Sequence, residues 1–260
     1  MTRSPPLWHV NAFTSSAEGG NPACVLMLSE WLSEERLAEI ATAAAAPATA
    51  FVAPLAGDQA DFAIRWFSPT QEIALCGHAS LAAGHVLLEQ TSGHSVSLRT
   101  QRSGVITVQR QGGGLEVALP TIPTKHARHE AAAELIGLGN SDALRSELGY
   151  NLFVMESEAD LRSLTPDFER LSRLAGDQFI VTAPGHTADM ASRVFKGGDG
   201  ASEDSVTGSA HAVLAPYWAK RLGRKEMTAH QASARGGDLT LRLDVSRVWV
   251  GGECVTVKRP

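Results

Sequence analysis

The hydrophobic and polar residues of the chain alternate over many short stretches, a period that predicts β-strands more often than helices. The strands predicted in the amino-terminal half are residues 7–13, 24–28, 49–55 and 61–69, and a meander is predicted between 95 and 119. Residues 34–46 carry a helical pattern instead, with Ser33 as the predicted N-cap and acidic residues in the first turn. Pro47 ends this predicted helix, because proline cannot continue the hydrogen-bond ladder.

The carboxy-terminal half mixes both periods without the regular strand–helix–strand rhythm of a parallel sheet. Pro120 and Pro123 bracket a predicted linker. Helices are predicted over residues 129–138 and after Pro166, strands over 152–157, 178–184 and 192–196, and a closing hairpin over 239–245 and 247–257. This mixture predicts the α+β class.

A short pattern occurs twice along the chain. Residues 72–79 (EIALCGHA) and 203–210 (EDSVTGSA) both follow Glu-x-x-(Leu/Val)-(Cys/Thr)-Gly-x-Ala. Each copy is followed by an apolar, alanine-rich run and is preceded by an arginine with aromatic neighbours. A repeat with this separation predicts two related halves rather than a short-period solenoid.

Each copy of the pattern also predicts a place for an anion. A glycine precedes a short polar residue and a helix-favouring run, which predicts a helix whose first amides remain free. Those amides and the positive end of the helix dipole favour a carboxylate or a phosphate. The amides expected to bind it are those of Gly77, His78, Ala79, Gly208, Ser209 and Ala210. Two such helix starts facing each other would hold one small anion; the alternative is two ordinary capped helices in a repeated fold.

The composition excludes several classes of protein. Of the 260 residues, 43% are hydrophobic, enough for a full core, and the net charge of −5 with a pI near 6.0 gives no sign of a nucleic-acid surface. The first residues lack the apolar core of a secretion signal, and no stretch is hydrophobic enough to span a membrane. Three cysteines do not form a disulfide framework, so we expect a cytoplasmic protein. The histidines show no ligand spacing, and we expect no metal ion.

Several long segments match a known family in the right order along nearly the whole chain. They are NAFTSSAEGGNPACVL, TAFV, RWFSPTQEIALCGHASLAAGH, SRVF, EDSVTGSAHAVLAPYWAKRLG, QASARGGDLTL and RVWVGGECVTV. These segments resemble the PhzF-like isomerases of phenazine biosynthesis, which have the diaminopimelate-epimerase fold. The resemblance implies two pseudo-symmetric domains, each a curved sheet around a central helix, with the active site in the cleft between them. We expect the domains at residues 1–122 and 123–260, with the last strand free to return to the first domain.

The resemblance assigns roles to residues of both repeated patterns. Gly77-His78 and Gly208-Ser209 are similar to the two helix starts that hold the substrate carboxylate in the family, and Asp204 matches an aspartate of the family motif. We therefore expect Asp204, His78 and Ser209 to be catalytic. The resemblance also implies a homodimer that binds a small anionic substrate and uses no cofactor.

One position departs from the family where the chemistry is most sensitive. Ala48 stands in place of the glutamate that shuttles the proton, and a methyl group cannot move a proton. Asp204 is the expected replacement; its alternative role is that of a helix cap. His78 is expected to assist; its alternative role is that of a hydrogen-bonding histidine. Cys76 is expected to be a packed thiol, because Thr207 replaces the second thiol used by the racemases of this fold.

The resemblance implies a cofactor-independent isomerase that moves a proton and a double bond in a small unsaturated carboxylate or amino-acid-derived substrate. Secondary metabolism, including antibiotic biosynthesis, is the expected setting. The alternative is a non-catalytic or altered family member that binds a small acid or a protein partner. Ala48 favours this alternative, whereas the retention of His78, Asp204 and Ser209 favours the enzyme.

Overall fold

The computed structural model describes residues 7–57, 60–174 and 176–260. The chain divides into two compact units, one formed by Met1–Leu119 with Trp249–Pro260 and the other by Pro120–Val248. The end of the chain therefore belongs to the unit in which the chain begins. Within the described ranges, no helix is both long and apolar enough to cross a membrane.

Within its described residues, the first unit has eight strands and two helices before the chain leaves it. They are β1 (Trp8–Ala12), β2 (Asn21–Met27), α1 (Glu34–Ala44), β3 (Ala48–Pro54), β4 (Phe62–Phe67), β5 (Glu72–Ile73), α2 (Gly77–Glu89), β6 (Ser95–Arg99), β7 (Val105–Gln111) and β8 (Gly114–Pro120). The second unit contains β9 (Lys125–Arg128), α3 (Glu130–Ile136), β10 (Asp142–Arg145), β11 (Tyr150–Val154), α4 (Glu158–Ser163), α5 (Phe168–Leu171), β12 (Gln178–Pro184), β13 (Met190–Lys196), β14 (Ser202–Asp204), α6 (Gly208–Leu222), β15 (Glu226–Gln231) and β16 (Gly237–Leu243). The chain returns to the first unit through β17 (Arg247–Gly252) and ends with β18 (Cys254–Lys258).

The two units pair their strands in the same way. In the first unit β2 lies parallel to β3, β3 antiparallel to β4, β4 antiparallel to β5 but parallel to β6, and β6 antiparallel to β7. In the second unit the same relations hold in order for β11, β12, β13, β14, β15 and β16. The repeated sequence pattern is therefore part of a repeated fold.

Each unit contains one long helix that is buried over most of its length. In α2 every residue from Gly77 to Leu88 except His85 is buried, and the helix packs against β1, β2, β3, β6, β7 and β18. In α6 every residue from 208 to 215 is buried, and the helix packs against β11, β15 and β16. A helix that is apolar on all sides belongs inside a core. The sheet of each unit therefore fixes where its central helix begins.

The helix predicted after Ser33 is confirmed. The Ser33 side chain accepts a hydrogen bond from Arg36 N, which makes it the N-cap of α1. The helix ends at Ala44, earlier than the predicted end at residue 46, because Ala45 adopts a left-handed conformation with a φ of 51°. The three strands of the predicted meander between 95 and 119 are also confirmed as β6, β7 and β8.

Other elements differ from the prediction. β9 and β10 occupy segments that carry no strand pattern, because their short sequences are largely polar and exposed. Residues 158–163 form α4, capped by Ser157, which the prediction had placed at the end of a strand. The segment 247–257 is not one strand of a hairpin: it divides into β17 and β18, and β18 pairs with β1 at the start of the chain.

Candidate functional site

An arginine–glutamate pair fixes the strand that leads into the central helix of the first unit. Arg65 on β4 donates from Nε and Nη2 to the two carboxylate oxygens of Glu72 on β5, at 2.7 Å in each case. The guanidinium carbon of Arg65 also lies 5.1 Å from the centre of the Phe67 ring. The hydrogen bonds from Arg65 lower the pKa of Glu72 below its usual range. Glu72 is therefore an ionised anchor for the helix start.

The second unit repeats this pair. Arg193 donates from Nε and Nη2 to Glu203 at 2.8 and 2.9 Å, and its guanidinium carbon lies 4.9 Å from the centre of the Phe195 ring. Its third nitrogen, Nη1, donates to the Leu164 carbonyl at 2.7 Å. The first glutamate of each repeated pattern is thus committed to an arginine. Glu72 and Glu203 have a structural role in both copies.

The amides at the two helix starts remain available. The N-cap residues Cys76 and Thr207 have extended backbones, neither side chain caps its helix, and neither first turn contains an acidic residue. Among the residues that the structure describes, none accepts a hydrogen bond from the amides of Gly77, Ala79, Gly208, Ser209 and Ala210. Each helix start therefore keeps the partial positive charge that attracts an anion.

His78 lies in the first turn of α2 and is 7% exposed. Its Nδ1 lies 3.5 Å from Sγ of Cys76, the residue that precedes the helix. Cys76 is buried, as predicted, but its contact with the imidazole goes beyond apolar packing. The first unit thus brings together an imidazole, a thiol and available amides.

Asp204 is the last residue of β14 and is also 7% exposed. Its Oδ2 accepts a hydrogen bond from Thr207 Oγ1 at 2.7 Å, and its Oδ1 lies 3.6 Å from Lys196 Nζ. The N-cap of α6 is Thr207 and not Asp204, so the alternative of a helix-cap aspartate is wrong. Asp204 is a nearly buried carboxylate immediately before an anion-favouring helix start.

Ser209 lies in the first turn of α6 and is 5% exposed. No described residue forms a hydrogen bond with its hydroxyl group, so the group can serve a ligand. The second unit therefore collects Asp204, Ser209 and the amides of residues 208–210 in a single strand–loop–helix segment.

Ala48 is the first residue of β3, opposite Ala23 of β2, and its side chain is fully buried. The neighbouring Thr49 is also fully buried, and its hydroxyl group finds no partner among the described residues. The structure offers only a methyl group at position 48, so this position cannot transfer a proton.

Two residues that support the second helix start were missed from the sequence. Gln231, the first residue of the family-matching segment QASARGGDLTL, is fully buried and contacts the loop before α6. His211 occupies the fourth position of α6 and donates from Nδ1 to the carbonyl of Thr207 at 2.9 Å. In α2 the matching residue, Ser80, donates to the Cys76 carbonyl at 2.6 Å. A polar residue at the same offset in both copies was the available signal.

Comparisons with known proteins agree with this architecture. Residues 10–259 match the family model of the phenazine biosynthesis-like proteins. An uncharacterized isomerase of Pseudomonas aeruginosa is 42% identical over 250 residues, which cover 95% of this chain and 94% of the relative. The crystal structure of a PhzF-family phenazine biosynthesis protein from Enterococcus faecalis has a TM-score of 0.89 at 34% identity, covering 98% of both chains. A hydroxyproline epimerase from Agrobacterium vitis shares the fold alone, with a TM-score of 0.59 at 14% identity over 97% of this chain and 90% of that one. The predicted α+β, epimerase-like fold is confirmed, and the chain belongs to the PhzF-like family of phenazine biosynthesis-like proteins.

Proposed function

We propose that this protein is a cofactor-independent isomerase that moves a proton and a double bond in a small unsaturated carboxylate, including amino-acid-derived acids. The name of the Pseudomonas relative, an isomerase, supports the reaction class. The observation that carries the proposal is the position of Asp204, a nearly buried carboxylate that accepts a hydrogen bond at 2.7 Å from Thr207, the residue at the N-cap position of α6.

Substrate binding follows from the helix starts. The amides of residues 208–210 donate to a substrate carboxylate, and the dipole of α6 adds to the attraction. The burial of this segment strengthens both effects, because charges interact more strongly away from water. Ser209 adds a hydroxyl donor to the same anion. The amides of residues 77–79, with the His78 imidazole, provide the second binding element that the family resemblance implies.

Proton transfer is assigned to Asp204 with His78 assisting. Asp204 removes a proton from a carbon next to the double bond, so that a C–H bond breaks and an O–H bond forms. The electron pair delocalises over the unsaturated system, and the remote carbon then takes the proton back as the double bond shifts. Asp204 ends the cycle ionised, so no electrons are gained or lost. Such general acid–base groups contribute about 10²–10⁴-fold in rate.

A second candidate function is binding of a small acid without catalysis. The buried methyl group of Ala48, where the resemblance expects a carboxylate, favours it. In this case the helix starts bind an anion, and Asp204 has only a structural role.

Proton NMR in deuterium oxide separates the two candidates. The protein is incubated with a panel of β,γ- and α,β-unsaturated carboxylates, of which 3-butenoate is the simplest. We expect exchange or isomerisation with at least one member, and a fall of at least about 10²-fold in Asp204→Asn. The matched control is Asp142→Asn, because Asp142 is exposed and lies outside the site. Turnover of Asp204→Asn at the wild-type rate contradicts the assignment. No exchange with any acid, together with acetate-induced shifts of the amide signals of residues 208–210, establishes the binder.

The setting of the reaction is proposed from family resemblance. We propose a homodimer that acts in the cytoplasm in secondary metabolism, with antibiotic biosynthesis as one such setting. Light scattering of the purified protein tests the dimer, and a stable monomer contradicts it.

A further inference from the structure

The side chain of Gln231 holds both ends of the loop between β14 and α6, and Ser233 Oγ donates to the Ser205 carbonyl between them at 2.7 Å. Gln231 is fully buried at the end of β15. Its Oε1 accepts a hydrogen bond from Thr207 N at 2.8 Å, and its Nε2 donates to the Asp204 carbonyl at 2.7 Å. A backbone N–H only donates and a carbonyl only accepts, so these partners fix the orientation of the amide group. Gln231 therefore clamps both ends of the segment from 204 to 207.

The hydroxyl group of Thr207 has one possible hydrogen-bond direction. It lies 2.7 Å from Asp204 Oδ2 and donates a hydrogen bond to that oxygen. The hydroxyl proton therefore points to Asp204. Gln231 Nε2 lies 3.4 Å from Thr207 Oγ1, on the lone-pair side of this hydroxyl oxygen. Donors and acceptors match throughout this buried cluster, as polar groups inside a protein require.

His211 holds the opposite side of Thr207. Its Nδ1 must carry the proton, because it donates to the Thr207 carbonyl at 2.9 Å. Its Nε2 is then an acceptor for the hydroxyl group of Ser192 on β13, at 3.4 Å. Burial lowers the pKa of His211 to about 4, so the imidazole is neutral at neutral pH. Thr207 is thus bound through its amide, its carbonyl and its hydroxyl group.

The first unit lacks this arrangement although its fold is the same. The position that matches Asp204 in the repeated pattern is Ile73, and the one that matches Thr207 is Cys76. Extending the β4–β6 register by one residue past Arg99 puts Thr100 at the position that matches Gln231, and the hydroxyl group of Thr100 donates to the Gly104 carbonyl within its own turn. Of these contacts, the two units share only the hydrogen bond to the carbonyl of the N-cap residue. Ser80 donates it in the first unit and His211 in the second. The hydroxyl–carboxylate contact is therefore not a requirement of the fold.

We propose that Thr207 is a positioning residue for Asp204, and that Gln231 and His211 hold Thr207 in place for this purpose. The proposal rests on the proposed function, in which Asp204 transfers the proton. A proton-transferring carboxylate must be held in a narrow range of orientations, and a displacement of about 1 Å can lower the rate by about 10²-fold. Thr207 supplies a donor to one oxygen of this carboxylate.

The test compares Thr207→Val, which keeps the shape but removes the hydroxyl group, with Thr207→Ser, which keeps the hydroxyl group. On the panel acid with the fastest exchange, we expect Thr207→Val to lower kcat by about 10²-fold with KM unchanged. Thr207→Ser should restore most of the rate. The matched control is Thr49→Val, the same substitution at a buried threonine whose hydroxyl group has no partner among the described residues. Wild-type turnover is expected for this control.

A second readout does not depend on activity. The ¹³C signal of the Asp204 carboxylate and the ¹⁵N signals of His211 are followed in all three variants. We expect the Asp204 signal to shift in Thr207→Val and not in Thr49→Val, and His211 to show the Nδ1–H tautomer in the wild type. An unchanged Asp204 signal overturns the proposal, as does the Nε2–H tautomer of His211. If Asp204→Asn is inactive while Thr207→Val turns over like the wild type, positioning by Thr207 is wrong and the proposed function stands. If Asp204→Asn keeps full activity, the proposed function itself fails.

Discussion

The buried histidine of α6 gives the protein a measurable dependence of stability on pH. His211 is fully buried, and burial lowers its pKa from 6.5 to about 4. The unfolded chain has no such burial, so its imidazole titrates near the ordinary value. Between these two pKa values the unfolded chain binds a proton at this residue and the folded protein does not. Acid therefore favours the unfolded state in this window.

The size of the effect follows from the shift. Each pH unit inside the window changes the free energy of unfolding by about 1.4 kcal/mol. Stability contributed by the neutral imidazole is complete above pH 6.5 and falls as the pH drops toward 4, where the folded protein takes up the proton as well. Across the whole window the loss is about 3 kcal/mol. This is a large part of the stability of an ordinary domain.

The assay compares the wild type with His211→Asn, whose amide nitrogen can donate to the Thr207 carbonyl but does not titrate. Guanidinium unfolding is measured at several pH values from about 7 to about 4.5. The wild type should lose stability relative to the variant as the pH falls. The pKa values of His9, His85 and His129 are also lowered by burial. These residues are present in both proteins, so their contributions cancel in the difference between the two free energies of unfolding. His126→Asn at an exposed position is the control and should follow the wild type. A constant difference between the wild type and His211→Asn over this range refutes the reasoning.

Two further substitutions test the hydrogen bonds of Gln231 and the replacement of the family's glutamate by Ala48. Gln231→Leu leaves the Thr207 amide and the Asp204 carbonyl without this buried partner, at about 1–3 kcal/mol for each group, so guanidinium unfolding should show a loss of about 2–6 kcal/mol. Gln178→Leu is its control, because the side-chain oxygen Oε1 of Gln178 has no hydrogen-bond partner to lose among the described residues; an equal loss in both variants contradicts the role of the clamp. Ala48→Glu restores the family's carboxylate at a fully buried position, so it should lower stability, with Ala48→Gln as the uncharged control. If Ala48→Glu creates proton exchange on the unsaturated acids where the wild type shows none, the natural protein is a binder or an enzyme of different chemistry; if the wild type already exchanges, the binder is excluded.

Local signals in the sequence predicted local structure well. The Ser33 cap and the glycine-led starts of both central helices depend on a few consecutive residues, so a linear pattern contains them. The same kind of signal was present at Ser157, whose side chain accepts from Asp160 N at 3.1 Å at the start of α4. The apolar pattern of the preceding strand runs through Ser157 and competes with this capping signal. The start of α4 was therefore contained in the sequence.

Contacts between distant segments could not be predicted in this way. Gln231 contacts residues that precede it by 24 and 27 positions, and nothing in its immediate neighbourhood indicates those partners. The short polar strands β9 and β10 are strands because they pair with each other, and not because of their composition. The pairing of β18 with β1 joins the two ends of the chain. Register and tertiary contacts decide such elements, and the propensity of a short segment is too weak to do so.

The comparison between the two units separates what the fold needs from what chemistry needs. The arginine–glutamate pair, the glycine at the helix start and the bond back to the N-cap carbonyl occur in both units, so they are requirements of the architecture. The carboxylate of Asp204 and the hydroxyl group of Thr207 occur in the second unit alone at these matched positions, and they form a fully paired buried cluster. Buried polar groups lower stability unless every partner is present, so a fold does not need such a cluster where Ile73 and Cys76 serve equally well. The proton-transferring role that we propose for Asp204 would explain this difference, and it requires no group at position 48.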